Sequence, residues 1–329
     1  MDKRKVIDAH CHVPSEHYIP RSFIRGAASN THAMMTASGL DLPLARVMDQ
    51  VLIHMQDHNA DDLIVEMDAA GIEKSVLLCP DFSWALPDCA LTVEEVLLRH
   101  RAILARHPGR FEAFAGVDPR WGADGIALFE RAVSEWGFSG FKIYTPCGYT
   151  ASDPALFPFY EICAARKLPV LSHTGPTSPV LTFSESRPFG CDIAAKQFPD
   201  AMFILAHAPM AFPEECVMMA AFRPNVYLDI SGFQKNLQSP CGLRDLERVL
   251  SSGIAHKVIF GTDWPVFREF GSLKDSVIAA VEGENALADL SSAQLALVLS
   301  GNIERILAQA AASSLPHAAV VHGKQSANP

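Results

Sequence analysis

The chain lacks any clustering of positive charge. Its 329 residues carry 27 Lys and Arg against 37 Asp and Glu, a formal charge of −10 at pH 7, and only Lys3-Arg4-Lys5 puts three cations side by side. A nucleic-acid surface needs clustered Lys and Arg to displace counterions from phosphates. No nucleic-acid partner is therefore expected, and the basic trio reads as a solvated terminus. The chain also lacks an apolar run near the ~18 residues of a membrane-spanning helix. Val6-Ile7-Asp8-Ala9 is too short for a secretory signal core, so a cytoplasmic protein without a membrane partner is expected. There is no Cys-x-x-Cys pair: the eight cysteines are scattered and read as small buried apolar residues. No glycine-rich phosphate turn follows an early strand, and no flavin or nicotinamide fingerprint appears, which argues against a redox protein. Internal repeats and low-complexity tracts are absent.

What is present is material for one large core, with 49% hydrophobic and 19% charged residues. Near-continuous apolar runs at 6–9, 75–79, 111–117, 140–144, 169–172, 202–206, 226–230 and 258–261 have the pattern of strands buried on both faces of a parallel sheet. Helical spacing fills 61–70, 93–106, 125–136, 155–166, 243–251, 273–282 and 292–312. Eightfold alternation predicts a single-domain (β/α)8 TIM barrel over residues 1–312, with an open doubly wound sheet as the runner-up. Residues 13–60 are long for a connection and predict an active-site loop insertion, a lid or wall. Residues 313–329 predict a loose C-terminal tail.

Barrel active sites form at the C-terminal ends of the strands. The first strand runs into His10-Cys11-His12, where alternation points both imidazoles one way, so that they can share a metal. The fifth ends at His173, the sixth at His207 and the eighth at Asp263. Four strand ends thus deliver metal-compatible side chains to one mouth. Around them, Asp81, Asp118 and Tyr144 follow strands, Asp229 and Ser231 flank the end of the seventh, Trp264 and Arg268 follow Asp263, and Arg21 and Arg25 lie in the long insertion, where an arginine suits a substrate carboxylate. For each, an ordinary cap, turn or surface pair is the competing account. His17, His32, His54 and His58 also fall in the insertion, while His100, His107 and His256 read as structural.

The set Ile7-Asp8-Ala9-His10-Cys11-His12, Ser172-His173-Thr174-Gly175, Ala206-His207-Ala208, Gly261-Thr262-Asp263-Trp264-Pro265 and Gly301-Asn302-Ile303-Glu304-Arg305-Ile306 resembles the amidohydrolase superfamily over nearly the whole chain. Within it, the resemblance is to the amidohydrolase-related (family 2) branch, which includes α-amino-β-carboxymuconate-ε-semialdehyde decarboxylase-like enzymes. The resemblance implies that His10, His12, His173 and Asp263 hold one divalent metal, most simply zinc, with manganese or a two-metal site as alternatives. It implies that Asp263 exchanges a proton with the metal's water and that His207 is an acid/base beside it. Lys142 stays open between a bridge to a second metal, with His173 and His207 as that metal's ligands, and a group that orients an anionic substrate. Arg25, Tyr144 and Trp264 are candidate substrate contacts, and a homodimer is implied.

The activity expected first is hydrolysis of a small organic substrate (an amide, an ester, a lactone or the C–C bond of a diketone) through activated water. Non-oxidative decarboxylation, or hydration, of an aromatic or muconate-type acid is the alternative on the same residues. A barrel that binds a ligand without turnover is the non-catalytic reading, disfavoured because every ligand type is present.

Overall fold

A computed structural model describes residues 4–314. The apolar runs become eight strands, each parallel to the next in chain order: β1 (Ile7–Cys11), β2 (Lys74–Cys79), β3 (Phe111–Gly116), β4 (Gly140–Ile143), β5 (Pro169–Ser172), β6 (Met202–Leu205), β7 (Val226–Asp229) and β8 (Val258–Ile259). The seam between β8 and β1 is closed by backbone bonds. Ala9 N–H reaches the Phe260 carbonyl at 3.0 Å, Asp263 N–H the His10 carbonyl at 2.7 Å and His12 N–H the Trp264 carbonyl at 2.7 Å. The chain is a (β/α)8 TIM barrel.

Alternation along the strands sorts side chains into two layers. Ile7, Ala9, Val76, Leu78, Phe114, Leu171, Ile204 and Ile259 fill the interior. Their neighbours Leu77, Ala113, Phe141, Val170, Phe203 and Leu228 face outward under the helices. In β1 the phase changes: Asp8 pairs with Ser75 but Cys11 with Leu77, so one residue is extra. This bulge lets Ala9 pack in the interior while His10, its chain neighbour, also turns inward.

The helices are α1 (Arg21–Ala37), α2 (Leu44–Ile53), α3 (Asp61–Ala70), α4 (Val93–Arg106), α5 (Gly122–Glu135), α6 (Phe157–Arg166), α7 (Asp192–Gln197), α8 (Pro213–Phe222), α9 (Phe233–Asn236), α10 (Pro240–Leu250), α11 (Leu273–Glu282), α12 (Ser292–Ala296) and α13 (Asn302–Ser314). Local chemistry sets their ends. Thr92 with Glu95 and Ser272 with Asp275 form capping boxes, and α3 stops at Gly71 with φ +73°. The helix expected over 292–312 is broken by a widened turn at Leu297–Gly301, where the Val298 carbonyl accepts from Phe260 N–H at 2.9 Å. Beyond it, α13 sets Ile303 and Ile306 into the barrel interior as its floor. The expected tail starts as helix, since α13 includes Ser313 and Ser314, and the rest of it lies outside the described residues.

The stretch 13–60 is largely helical where a loop was expected. α1 and α2 share a small core of Ile24, Ala28, Val47 and Met48, separate from the barrel's. Its anchors are specific. Asp88 accepts the Ser22 N–H at 2.7 Å and its hydroxyl at 2.6 Å, and Ser178 Oγ donates to the Phe23 carbonyl at 2.8 Å. A Cβ on Gly26 would lie 2.3 Å from Ser178 Oγ, so a larger residue would push that hydroxyl off the Phe23 carbonyl. Among the described residues, no helix is long and apolar enough to cross a membrane.

Candidate active site

Four strand ends meet at the mouth. At the end of β1, His10 Nδ1 lies 2.8 Å from Asp229 Oδ2, and just beyond the strand His12 Nδ1 lies 2.9 Å from the Leu78 carbonyl. A carbonyl only accepts, and the charged Asp229 accepts too, so both Nδ1 atoms hold the proton. Each ring is thereby left with a bare Nε2, the atom a metal takes. Past β8, Asp263 Oδ1 stands 3.4 Å from His10 Nε2 and 3.3 Å from His12 Nε2. The ligand atoms of these three residues lie within 4.8 Å of one another. Three lone-pair atoms that face each other without a proton between them repel unless a cation joins them. This donor set therefore fits a divalent metal.

A second grouping, His10, His207 and Asp229, is equally close, but its carboxylate is already used. Asp229 Oδ2 holds His10, and Oδ1 accepts the N–H of His207 at 3.0 Å, the N–H of Ser231 at 2.9 Å and the Ser231 hydroxyl. Ser231 Oγ in turn sits 2.8 Å from His207 Nδ1. Asp229 and Ser231 thus orient the imidazoles that reach the site. His207 and Asp263 both adopt left-handed backbone, φ +58° and +56°, a conformation that residues other than glycine seldom take.

Charges follow from this packing. Burial pushes His207 down to about 4 against the pull of Asp263. Lys142, on β4, is buried, and burial lowers its amine to about 8 despite the charges of Asp229 and Asp263. Its Nζ has no hydrogen-bond partner among the described residues. His173 stands beside the three-ligand group rather than in it. Its Nε2 lies 3.0 Å from the Pro176 carbonyl, its ring is 4.9 Å from that of His207, and Nδ1 is the atom left over.

These groups open into a cavity of about 410 Å³, a size suited to a small molecule. Phe23, Phe82 and Tyr144 make an aromatic wall with ring centroids 5.0–6.3 Å apart, and Ile19, Met55 and Val266 add apolar surface. The insertion supplies Tyr18, Phe23, Asn30, Val51 and Met55 to this lining.

Several candidates are placed elsewhere. Arg25, with Arg21, Asp49 and Asp88, lines a separate hollow, because on α1 it is Phe23, Ile24 and Asn30 that face the cavity. Trp264 is 2% exposed and packs under the Arg268 guanidinium, which pairs with Glu66 at 3.0 Å, and none of the three lines the cavity. Asp81 and Asp118 are structural. Asp81 Oδ2 accepts Asp118 N–H and Trp121 Nε1–H, and Asp118 grips Arg120 with both oxygens. His17 and His58 stack on each other at 3.9 Å, outside the cavity lining. The sequence reading missed His100, Phe23, Phe82 and Lys235, all of which line the cavity. For His100 the signal was there: a polar residue on the buried stripe Leu97, His100, Ile103 of α4.

Comparison with known proteins bears on this geometry. The profile of the amidohydrolase family matches residues 7–308. The chain belongs to that family. No curated protein sequence matches it. Among solved structures it is similar to an uncharacterized TIM-barrel protein from Bordetella bronchiseptica (21% identity, 93% of this chain and 99% of that one, TM-score 0.65). It is also similar to a 2,6-dihydroxybenzoate decarboxylase from Rhizobium (17%, 94% and 99%, TM-score 0.63). A third is a dihydroxybenzoic acid decarboxylase from Polaromonas with bound manganese and 2-nitroresorcinol (17%, 96% and 99%, TM-score 0.59). As a member of this amidohydrolase family the chain is a metal-dependent enzyme.

Proposed function

We propose that this amidohydrolase is a decarboxylase of a small, flat carboxylic acid, aromatic or muconate-type. The observation that carries this reading is the pairing of an apolar, aromatic-walled cavity with one buried, unpartnered amine, Lys142. A flat ring fits against Phe23, Phe82 and Tyr144. A carboxylate is the partner that the orphaned ammonium lacks. The two similar decarboxylases support preferring this reaction to the hydrolysis expected first from the motifs.

His10, His12 and Asp263 would hold the cation, with His173 Nδ1 as the fourth candidate. When bound, the cation supplies positive charge for electrons left on the substrate. His207 is neutral at neutral pH and enters as a base. It takes a proton from a substrate hydroxyl or water and returns it to carbon. The C–C bond breaks with its electron pair on the substrate carbon, the returned proton fills that position, and carbon dioxide leaves. Lys142 orients the acid in this reading; its lowered amine also suits the bridging role in a two-metal site.

Hydrolysis is the second reading, favoured by one feature: His207 Nδ1 and Asp263 Oδ2 approach to 4.0 Å, two proton carriers beside one cation site. The test is a panel of carboxyl-labelled hydroxybenzoates and muconates, with esters and lactones alongside, given to protein loaded with manganese or zinc. Labelled carbon dioxide is the expected outcome. Turnover of esters or lactones alone would establish hydrolysis instead.

A further inference from the structure

His100 sits on the buried stripe of α4 and is 2% exposed, yet it lines the active-site cavity. Its Nδ1 is 2.8 Å from the Val96 carbonyl, one turn back on the same helix. A carbonyl only accepts, so Nδ1 carries the proton and Nε2, across the ring, keeps its lone pair. No described residue donates to that nitrogen. Tyr18, whose ring lies 4.8 Å away, gives its hydroxyl to the His58 carbonyl at 2.7 Å instead. Burial depresses the imidazole to about 4, so the ring is neutral at neutral pH. Val96, Met55, Phe82 and Ile19 give the same cavity an apolar lining. An uncharged acceptor left unpaired in such a wall strongly rewards a ligand that brings a donor and penalises one that does not.

We propose that His100 reads a hydroxyl group of the substrate, which donates its proton to Nε2. The substrate is then a hydroxylated acid, oriented by His100 through its hydroxyl and by Lys142 through its carboxylate. An ether or a second carboxylate in the same place would bring lone pair against lone pair, so His100 also rejects these. The inference rests on the cavity being the substrate site, as proposed above, but not on which reaction occurs there.

The experiment uses the metal-loaded full chain labelled with nitrogen-15 histidine, phenol as the probe and anisole as its non-donating isostere. The His100 signal is assigned by its loss in His100→Phe. The expected result has three parts: a free-state spectrum with the proton on Nδ1, an Nε2 resonance that moves on adding phenol but not anisole, and phenol bound about tenfold more tightly than anisole. In His100→Phe that ratio falls toward one. The proposal is overturned by a proton on Nε2, by phenol binding that leaves His100 unmoved, or by no phenol binding up to its solubility. The spectra of the unsubstituted chain decide this even where His100→Phe folds poorly. If phenol moves His100 while no acid in the panel loses carbon dioxide, decarboxylation is wrong and the role of His100 stands. If carbon dioxide is released while His100 ignores phenol, the reverse holds.

Discussion

The floor and the mouth of this barrel are built from the same eight strands and obey different rules. At the floor, Ile7, Val76, Ile204 and Ile259 meet Ile303 and Ile306 from α13, every one of them apolar and at most 3% exposed. At the mouth, a few residues further along the same strands, the buried side chains are His10, Lys142, His173, His207 and Asp263. The mouth tolerates two left-handed non-glycine residues and an amine without a partner, features that cost stability in a fold with little to spare. The floor stabilises; the mouth, on the function proposed above, is completed by a cation and an anionic substrate. Stability and chemistry are separated along the length of each strand.

That separation predicts which variants damage what. The largest effect belongs to the mouth. His12→Ala should cut turnover by about a thousandfold while the melting temperature of the metal-free protein stays close to that of the unsubstituted chain, read by thermal denaturation beside the activity assay. Next comes the floor. Ile306→Ala should cost roughly 3 kcal/mol in denaturant unfolding and leave metal affinity intact; a loss of metal there would blur the division.

Acid should strike the mouth side selectively. His100 is held near 4, below its ordinary value of 6.5, so between those two values the unfolded chain binds more protons than the folded one. Its contribution is complete above pH 6.5 and disappears as pH falls toward 4. The decline relative to His100→Phe should reach roughly 3 kcal/mol, at ~1.4 kcal/mol per tenfold change in proton affinity, read from unfolding curves across that window.

Smaller is the effect of Asp229→Asn, which disturbs the orientation of His10 rather than a ligand atom. Metal affinity should fall about 10–100-fold in a competition titration with a chelator. Smallest is Arg25→Ala, whose side chain faces a separate hollow. It should leave KM within about twofold, and a large rise in KM would place Arg25 in the substrate site after all.

The sequence carried the strands and the ligand-bearing strand ends because both are local signals. Apolar runs mark buried strands, and the metal-compatible residues follow them directly, as at His173 after β5 and Asp263 after β8. α3, α4 and α11 were legible to the residue through their helical spacing. Other features were invisible for definable reasons. The β1 bulge leaves no trace in composition, yet it puts Ala9 and His10 on one side. α8 was missed although Pro213, Glu214 and Glu215 form an ordinary helix start, because its apolar residues show no clear stripe. The direction of Arg25 against Phe23 depends on how α1 docks through Gly26 onto Ser178, a contact between residues 152 positions apart that no local pattern encodes. His100 shows the same limit: helical spacing says it is buried, but not that a cavity lies beside it.

The account turns on His10, His12 and Asp263 joining around one divalent cation. The most direct test is elemental analysis of metal per chain, on protein purified without chelator and on Asp263→Ala and Lys142→Ala. About one metal per chain, abolished by Asp263→Ala and unchanged by Lys142→Ala, is the predicted result. Two metals falling with Lys142→Ala would make that lysine a bridge, and full metal in Asp263→Ala would contradict the ligand assignment outright.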